Sequence, residues 1–359
     1  MPRLLPGAPL AAALALALAP ALSGCATVAY VAQAAQGQLD LASAARPLDR
    51  VLADPDTSAR TAALLREIAP IKRYGERHGL RSTSSYASYA EVDGPAVVWV
   101  VSASAPLAFR SRWWRFPFVG PINYLGWFDR GDADGHADRL RAAGWDADVR
   151  GAVAYSTLGW FSDPVLSTMI PDGDDALGEL ASTVLHESVH ATIYLPGATE
   201  LNESLAEVAG ERLACGYLTE RTGPGSPEVL GFRDAQRRGR ARADALARAR
   251  ARLEAIYASS APRDRKLADK ARVLEALEAE VGARRHLNNA SLIQAKTYDG
   301  SAKEVLQLLA ACGEDWPRVF RVIGAWASDP RAATPDARAA VAGLERAGCP
   351  DPGGAVAGR

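Results

Sequence analysis

The string His186-Glu187-Ser188-Val189-His190 is where residue types and spacing specify chemistry most directly. On a helix, positions i and i+4 share a face about one turn apart, so both imidazoles can grip a single Zn2+ ion. This is an HExxH pattern. Glu187 then points into the site, where it can take a proton from water activated by the metal. The chain has five His and 18 Glu among 359 residues. Chance would produce this pattern only about 0.003 times in a sequence of that composition, before helical context is required.

A hydrolytic zinc needs a third protein ligand and an open fourth position. Glu203 follows His190 with twelve residues between, in the string Asn202-Glu203-Ser204-Leu205-Ala206-Glu207. Glu203 and Glu207 share a helical face at i, i+4. A turn at Pro196-Gly197 would fold this helix back on the first. Glu203 would then join His186 and His190 on the metal, while Glu207 accepts a hydrogen bond from the outer nitrogen of a ligating imidazole and Asn202 stands beside them. The other reading of Glu203 and Glu207 is a pair of surface carboxylates.

The elements that must position these groups are two helices, Asp172 to Tyr194 and Thr199 to Thr219. Ala96 to Ser102 and Val149 to Ser156 read as strands. Tyr30 to about Leu80 reads as helical scaffold punctuated by Pro47, Pro55 and Pro70. Phe232 to Gly282 is rich in Arg and Ala, with 13 basic and 8 acidic residues, and reads as a helical hairpin with a solvated charged face. The expected fold class is α+β, mainly helical, with a small sheet and a paired active-site helix core. The expected organisation is a leader over 1–24, one zinc peptidase domain over 25–350 containing that hairpin, and a flexible tail over 351–359.

Composition sets the outer bounds. With 48% hydrophobic and 23% charged residues the chain is neither disordered nor fibrous. Its net charge of -1 shows no basic excess, which argues against a nucleic-acid partner, and a monomer is expected. Leu10 to Leu22 is an apolar run of 13 residues behind Arg3, too short to span a bilayer, and reads as a signal peptide. Of the cysteines beyond it, Cys312 and Cys349 are the preferred disulfide pair, and Cys215 reads as a buried small hydrophobe.

Leu22-Ser23-Gly24-Cys25 resembles the lipobox of bacterial lipoproteins. That resemblance implies lipidation of Cys25 and, with Ala26 after it, a lipid anchor in the cell envelope at the periplasmic face of the outer membrane. The His, His, Glu set resembles the gluzincins, zincin-like metallopeptidases. Metzincins are excluded because Ile193 and Pro196 stand where they require Gly and the third His. The resemblance narrows with the string Ala154-Tyr155-Ser156-Thr157-Leu158-Gly159-Trp160-Phe161-Ser162-Asp163-Pro164-Val165-Leu166, the Phe116-Pro117 to Gly120 segment, the Asn202 to Glu207 helix, and Asn288-Asn289-Ala290. Together with the lipobox and the HExxH motif, these are similar to the bacterial family of predicted aminopeptidases, zinc lipoproteins. That family commonly has cysteines flanking the Phe-Pro segment, where Arg115 and Pro121 stand here.

The resemblance implies zinc-dependent hydrolysis of peptide substrates, with exopeptidase action resting on the family alone, since no Gly-x-Met-Glu-Asn element is present. It places an edge strand for extended peptides at Tyr155 to Trp160, and a second donor for the developing oxyanion downstream, at Tyr298 or His286. The competing class is a membrane-anchored binding or scaffold lipoprotein with a non-catalytic zinc site. Structural sites usually present four protein ligands, which weighs against it.

Overall fold

A computed structural model describes residues 30–116, 120–154, 162–195, 198–293 and 302–327. Within these, the helices are α1 (30–44), α2 (Leu48–Ala53), α3 (Ala59–Arg77), α4 (Arg130–Ala142), α5 (Ala176–Thr192), α6 (Thr199–Thr222), α7 (Pro227–Ala258), α8 (Arg263–Val281), α9 (289–293), α10 (Ala302–Ala311) and α11 (Trp316–Ala327). The strands are β1 (Arg46–Pro47), β2 (Ser88–Ala90), β3 (Val98–Ser104), β4 (Trp114–Phe116), β5 (Gly120–Ile122), β6 (Tyr124–Trp127), β7 (Asp146–Ala152) and β8 (Val165–Leu166). The architecture is mainly helical with small sheets, as the α+β reading expects. No described helix is long and apolar enough to cross a membrane. The leader, Cys25, Cys349 and the tail lie outside the described residues.

The scaffold departs from expectation at Pro70, which lies inside α3 instead of ending it. A proline in a helix interior costs about 3 kcal/mol through a lost hydrogen bond and a steric clash. Leu64, Leu65, Ile68, Ile71 and Tyr74 form one buried stripe along α3. Each such large side chain contributes about 1.5–3 kcal/mol on burial, so the stripe outweighs the proline.

β3 is the centre of a three-stranded sheet, antiparallel to β6 on one side and to β7 on the other. It begins two residues later than the apolar run suggests, because pairing with β7 runs from Val98 opposite Ala152 to Ser104 opposite Asp146. α4 covers this sheet with Ala133, Ala137 and Leu140 against Val101, Ala103 and Ala147. A second sheet joins β2 antiparallel to β1 and parallel to β8, and β4 pairs with β5.

α7 and α8 form the expected hairpin, starting at Pro227 and turning through 259–262. It has its own small core, with Ala245, Ala249 and Leu253 packed with Val273, Leu274 and Leu277. Buried Lys270 pairs with Asp146, and Arg285 with Asp148, tying the hairpin and its following loop to β7. Several arginines pair along the same helix, among them Arg238 with Asp234 and Arg250 with Glu254, as a solvated face requires. Cys312 is buried and disulfide-bonded to a partner outside the described residues. Cys215 is free but only half-buried, its sulfur accepting from Arg233, so it is less enclosed than its apolar neighbours suggest.

Candidate metal centre

α5 buries Leu180, Ala181, Val184, Leu185, Val189 and His190 along one face. That periodicity, set by the core, turns the two histidines of the motif towards α6. α6 buries Leu201, Leu205, Ala206, Val208 and Ala209 against the same core. Glu203 faces His186 and His190, while Gly210 faces Ser182 and His186, so the helices run antiparallel. Gly210 permits the close approach. A Cβ there would lie 3.0 Å from the Ser182 carbonyl oxygen and 3.1 Å from His186 Cβ.

Asn202 fixes the connection between the helices. Its side chain accepts from Leu195 N–H at 2.9 Å and donates to Leu195 C=O at 2.8 Å, and both residues are buried. Asn202 therefore acts on the backbone before α6, and through it on the placement of its neighbour Glu203. Pro196 and Gly197 lie outside the described residues.

The Nε2 atoms of His186 and His190 are 3.1 Å apart, with ring planes at 81°. The Glu203 carboxylate lies 3.7 Å from His186 Nε2 and 3.6 Å from His190 Nε2. Four-coordinate zinc with bonds of about 2.1 Å sets neighbouring donors about 3.4 Å apart, and these three edges bracket that spacing. The residues therefore form a group that can bind a metal ion. Glu207 approaches Nδ1 of His186 at 3.5 Å, behind the face directed at Glu203. Nδ1 of His190 is buried with no partner among the described residues.

Electrostatics favour a cation. Burial disfavours the charged form of His186, yet Glu203 and Glu207 overcome it and push the imidazole up to about 10. Burial would likewise raise Glu203, but His186 and His190 hold its carboxyl down to about 2. The arrangement thus stabilises positive charge between the rings, and a metal must displace a proton to take that place. Beyond it, burial and then Glu207 push Glu211 up to about 7, against the pull of Arg240. Glu187 is half-buried and makes no hydrogen bond or ion pair among the described residues, which leaves its carboxylate available to water.

The structure brings His186, His190, Glu203 and Glu207 together. His286 is fully exposed elsewhere, on the loop after α8, with Nδ1 3.4 Å from Glu278. Tyr298 and Tyr155 to Trp160 lie outside the described residues. Two residues near the motif carry no sequence signal. Gly210 is one small residue among several on α6. Tyr86 stands alone in the Ser-rich stretch Ser82 to Ser88, buried, with a left-handed backbone (φ 67°) and a phenol that burial, and then the charges of Glu187 and Asp163, push well above the usual range.

A family model described as "Putative aminopeptidase" matches residues 29–337, which spans every element above. No curated protein and no solved structure matches the chain.

Proposed function

The chain belongs to the aminopeptidase family that this model describes, and from that premise we propose that it is a zinc-dependent peptide hydrolase. The observation that carries the reading is the convergence of two imidazole nitrogens and one carboxylate at 3.1, 3.6 and 3.7 Å, from two helices held by a buried core. His186, His190 and Glu203 hold the ion, three protein ligands being the number a catalytic site uses. Zinc bound there polarises a scissile carbonyl and makes water acidic enough to attack near neutral pH.

The chain's own groups do the rest. Glu187, on the same helix and without a hydrogen bond or ion pair among the described residues, takes the proton of the attacking water and returns it to the leaving amine. Glu207, near Nδ1 of His186, favours the tautomer that presents Nε2 to the metal. Lipidation of Cys25 holds the enzyme, as a monomer, to the periplasmic face of the outer membrane, where it meets short peptides.

Zinc content and Glu187→Gln test the reading together. The wild-type chain is expected to hold about one zinc and cleave peptides, and the variant to keep its zinc while kcat falls at least about 100-fold, the loss typical of a general base. Retained zinc without peptide cleavage in the wild type would refute it.

A further inference from the structure

Large apolar side chains usually leave water, yet several stand in it together where the described residues begin. α1 covers the outer edge of β6 with side chains that satisfy its backbone. The Tyr30 hydroxyl accepts from the Gly126 N–H at 3.1 Å and Gln33 donates to the Gly126 carbonyl at 3.0 Å, while its side-chain oxygen accepts from the Phe128 N–H at 3.3 Å. Gly37 lies against the Phe128 ring and Leu41 joins the core, so 33, 37 and 41 form the inner stripe of the helix. The opposite stripe is Val31, Ala35 and Leu39, all exposed, Leu39 by 62%. Residues 26–39 carry no charge. A helix that met only water on that side would carry polar groups there.

The strand edge beside α1 repeats the pattern. Tyr124 pairs with Ser102, the Arg112 N–H donates to the Ala103 carbonyl at 2.8 Å, and Ser111 bridges to Ser104. Residues 111–112 therefore continue along β3 directly beyond Tyr124. From there side chains alternate between two faces. Arg112 lies over the Trp114 ring, and the Phe116 ring is 5.2 Å from that of Tyr30, so 112, 114 and 116 turn inward. Trp113 and Arg115 take the other face and are exposed, Trp113 by 58%. Tyr124 is exposed next to them.

Charge on this edge has one sign. Between Asp93 and Asp129 the chain holds three arginines, 110, 112 and 115, and no acid. Arg110 and Arg115 are exposed and form no ion pair among the described residues, whereas hairpin arginines such as Arg238 and Arg250 are neutralised by acids of their own helix. An uncharged apolar helix stripe, exposed Trp and Tyr, and unneutralised Arg together match the layered chemistry of a phospholipid surface. There aromatic rings settle at headgroup level and guanidinium groups meet phosphates. The covalent chain points the same way. Cys25 precedes Tyr30 by five residues, which span at most about 18 Å when fully extended. Acyl chains on Cys25 would therefore hold this corner of the fold at the bilayer.

We propose that the outer stripe of α1, with Trp113, Tyr124, Arg110 and Arg115, lies on an anionic phospholipid surface and fixes the orientation of the fold on the membrane. The inference rests on the lipid anchor at Cys25 proposed above. An anchor alone would let the domain swivel about its tether. The patch removes that freedom, because apolar area and positive charge are both spent on one face.

The test is photo-crosslinking of the full lipidated chain in vesicles of phosphatidylethanolamine and phosphatidylglycerol. A benzophenone amino acid is placed singly at position 113, at 124 or, as control, at exposed position 238 on α7. Lipid adducts at 113 and 124 are expected at least about tenfold above those at 238, with zinc content and unfolding temperature as in the wild type. Equal adducts at all three positions overturn the proposal, as does their absence from 113 and 124. Arg110→Glu combined with Arg115→Glu is expected to lower the lipid adduct at 113 at least about fivefold, and an unchanged yield also overturns it. So do adducts with a protein in place of lipid when the same chains are irradiated in intact cell envelopes. Should a label at 113 or 124 disturb folding, Leu39 offers a position on the same face with the same two readings. A wild type whose Cys25 peptide has the mass of the unmodified peptide defeats the anchor reading and the proposal with it, a result read before any crosslink is made.

Discussion

Gly210→Ala probes the spacing of the two helices that carry the candidate metal ligands with a single methyl group. In an open helical position this change adds about 1 kcal/mol of helix propensity. Here the new carbon would lie 3.0 Å from the Ser182 carbonyl oxygen, 3.1 Å from His186 Cβ and 3.2 Å from His186 Cα. None of these atoms can rotate aside, so α6 must retreat by a few tenths of an ångström. Glu203 is two helical turns along, about 10 Å, and a rigid retreat carries it the same distance from the imidazoles. Metal sites tolerate about 0.2 Å in their bond lengths. Overpacking costs about 1–3 kcal/mol, which the propensity gain offsets only in part. The zinc dissociation constant is expected to rise about tenfold, equivalent to about 1.4 kcal/mol, with stability in chelator unchanged or lower by up to about 2 kcal/mol. Competition with a chromophoric chelator measures the first, and denaturant unfolding the second. Gly239→Ala on α7, with nothing within 4 Å of the added carbon, is the control and should gain stability without touching zinc affinity. If Gly210→Ala gains stability as the control does and binds zinc like the wild type, the reasoning fails.

Two further outcomes follow from the same geometry. Asn202→Ala strips the buried Leu195 N–H and C=O of their partners and should cost about 2–4 kcal/mol in unfolding free energy, with weaker zinc binding because Glu203 is adjacent. An unfolding loss below 0.5 kcal/mol, the range of ordinary surface changes, would show that the clamp is idle. Glu211 is a raised acid, from 4.5 to about 7, flanked by Glu207, Glu179, Arg240 and Arg212. Its folded form binds the proton more tightly than the unfolded chain does, so the stability it contributes is complete below pH 4.5 and is lost as pH rises through about 7. Glu211→Gln should therefore match the wild type near pH 4.5 and exceed it by at most about 3 kcal/mol at pH 8, measured in chelator so that no cation charge intervenes. Equal stabilities at pH 8 would remove the raised carboxyl from the account.

The pairing of His186 with His190 is legible in sequence because their relation is local. Any helix places i and i+4 on one face, and the apolar period of 180, 184, 185 and 189 requires a helix there. The β-branched run around Val98 and the apolar stripe of α3 are legible for the same reason. Pro70 misleads because its cost is local whereas the burial that outweighs it comes from other elements. For Glu203, spacing alone leaves a ligand and a surface carboxylate both open. The antiparallel crossing of α5 and α6, set by Gly210 and the Asn202 clamp, is what brings it within 3.7 Å of both rings.

Tyr86 lies at the far end of that scale. A hundred residues separate it from the motif, no period or spacing marks it, and its backbone is fixed by Lys72, Thr192 and Asp163 gripping a loop from three directions. Local order thus specified the histidine pair, while packing between distant elements decided which carboxylate accompanies it. A helix repeats every 3.6 residues whatever surrounds it, whereas contacts between remote segments depend on how whole surfaces fit together.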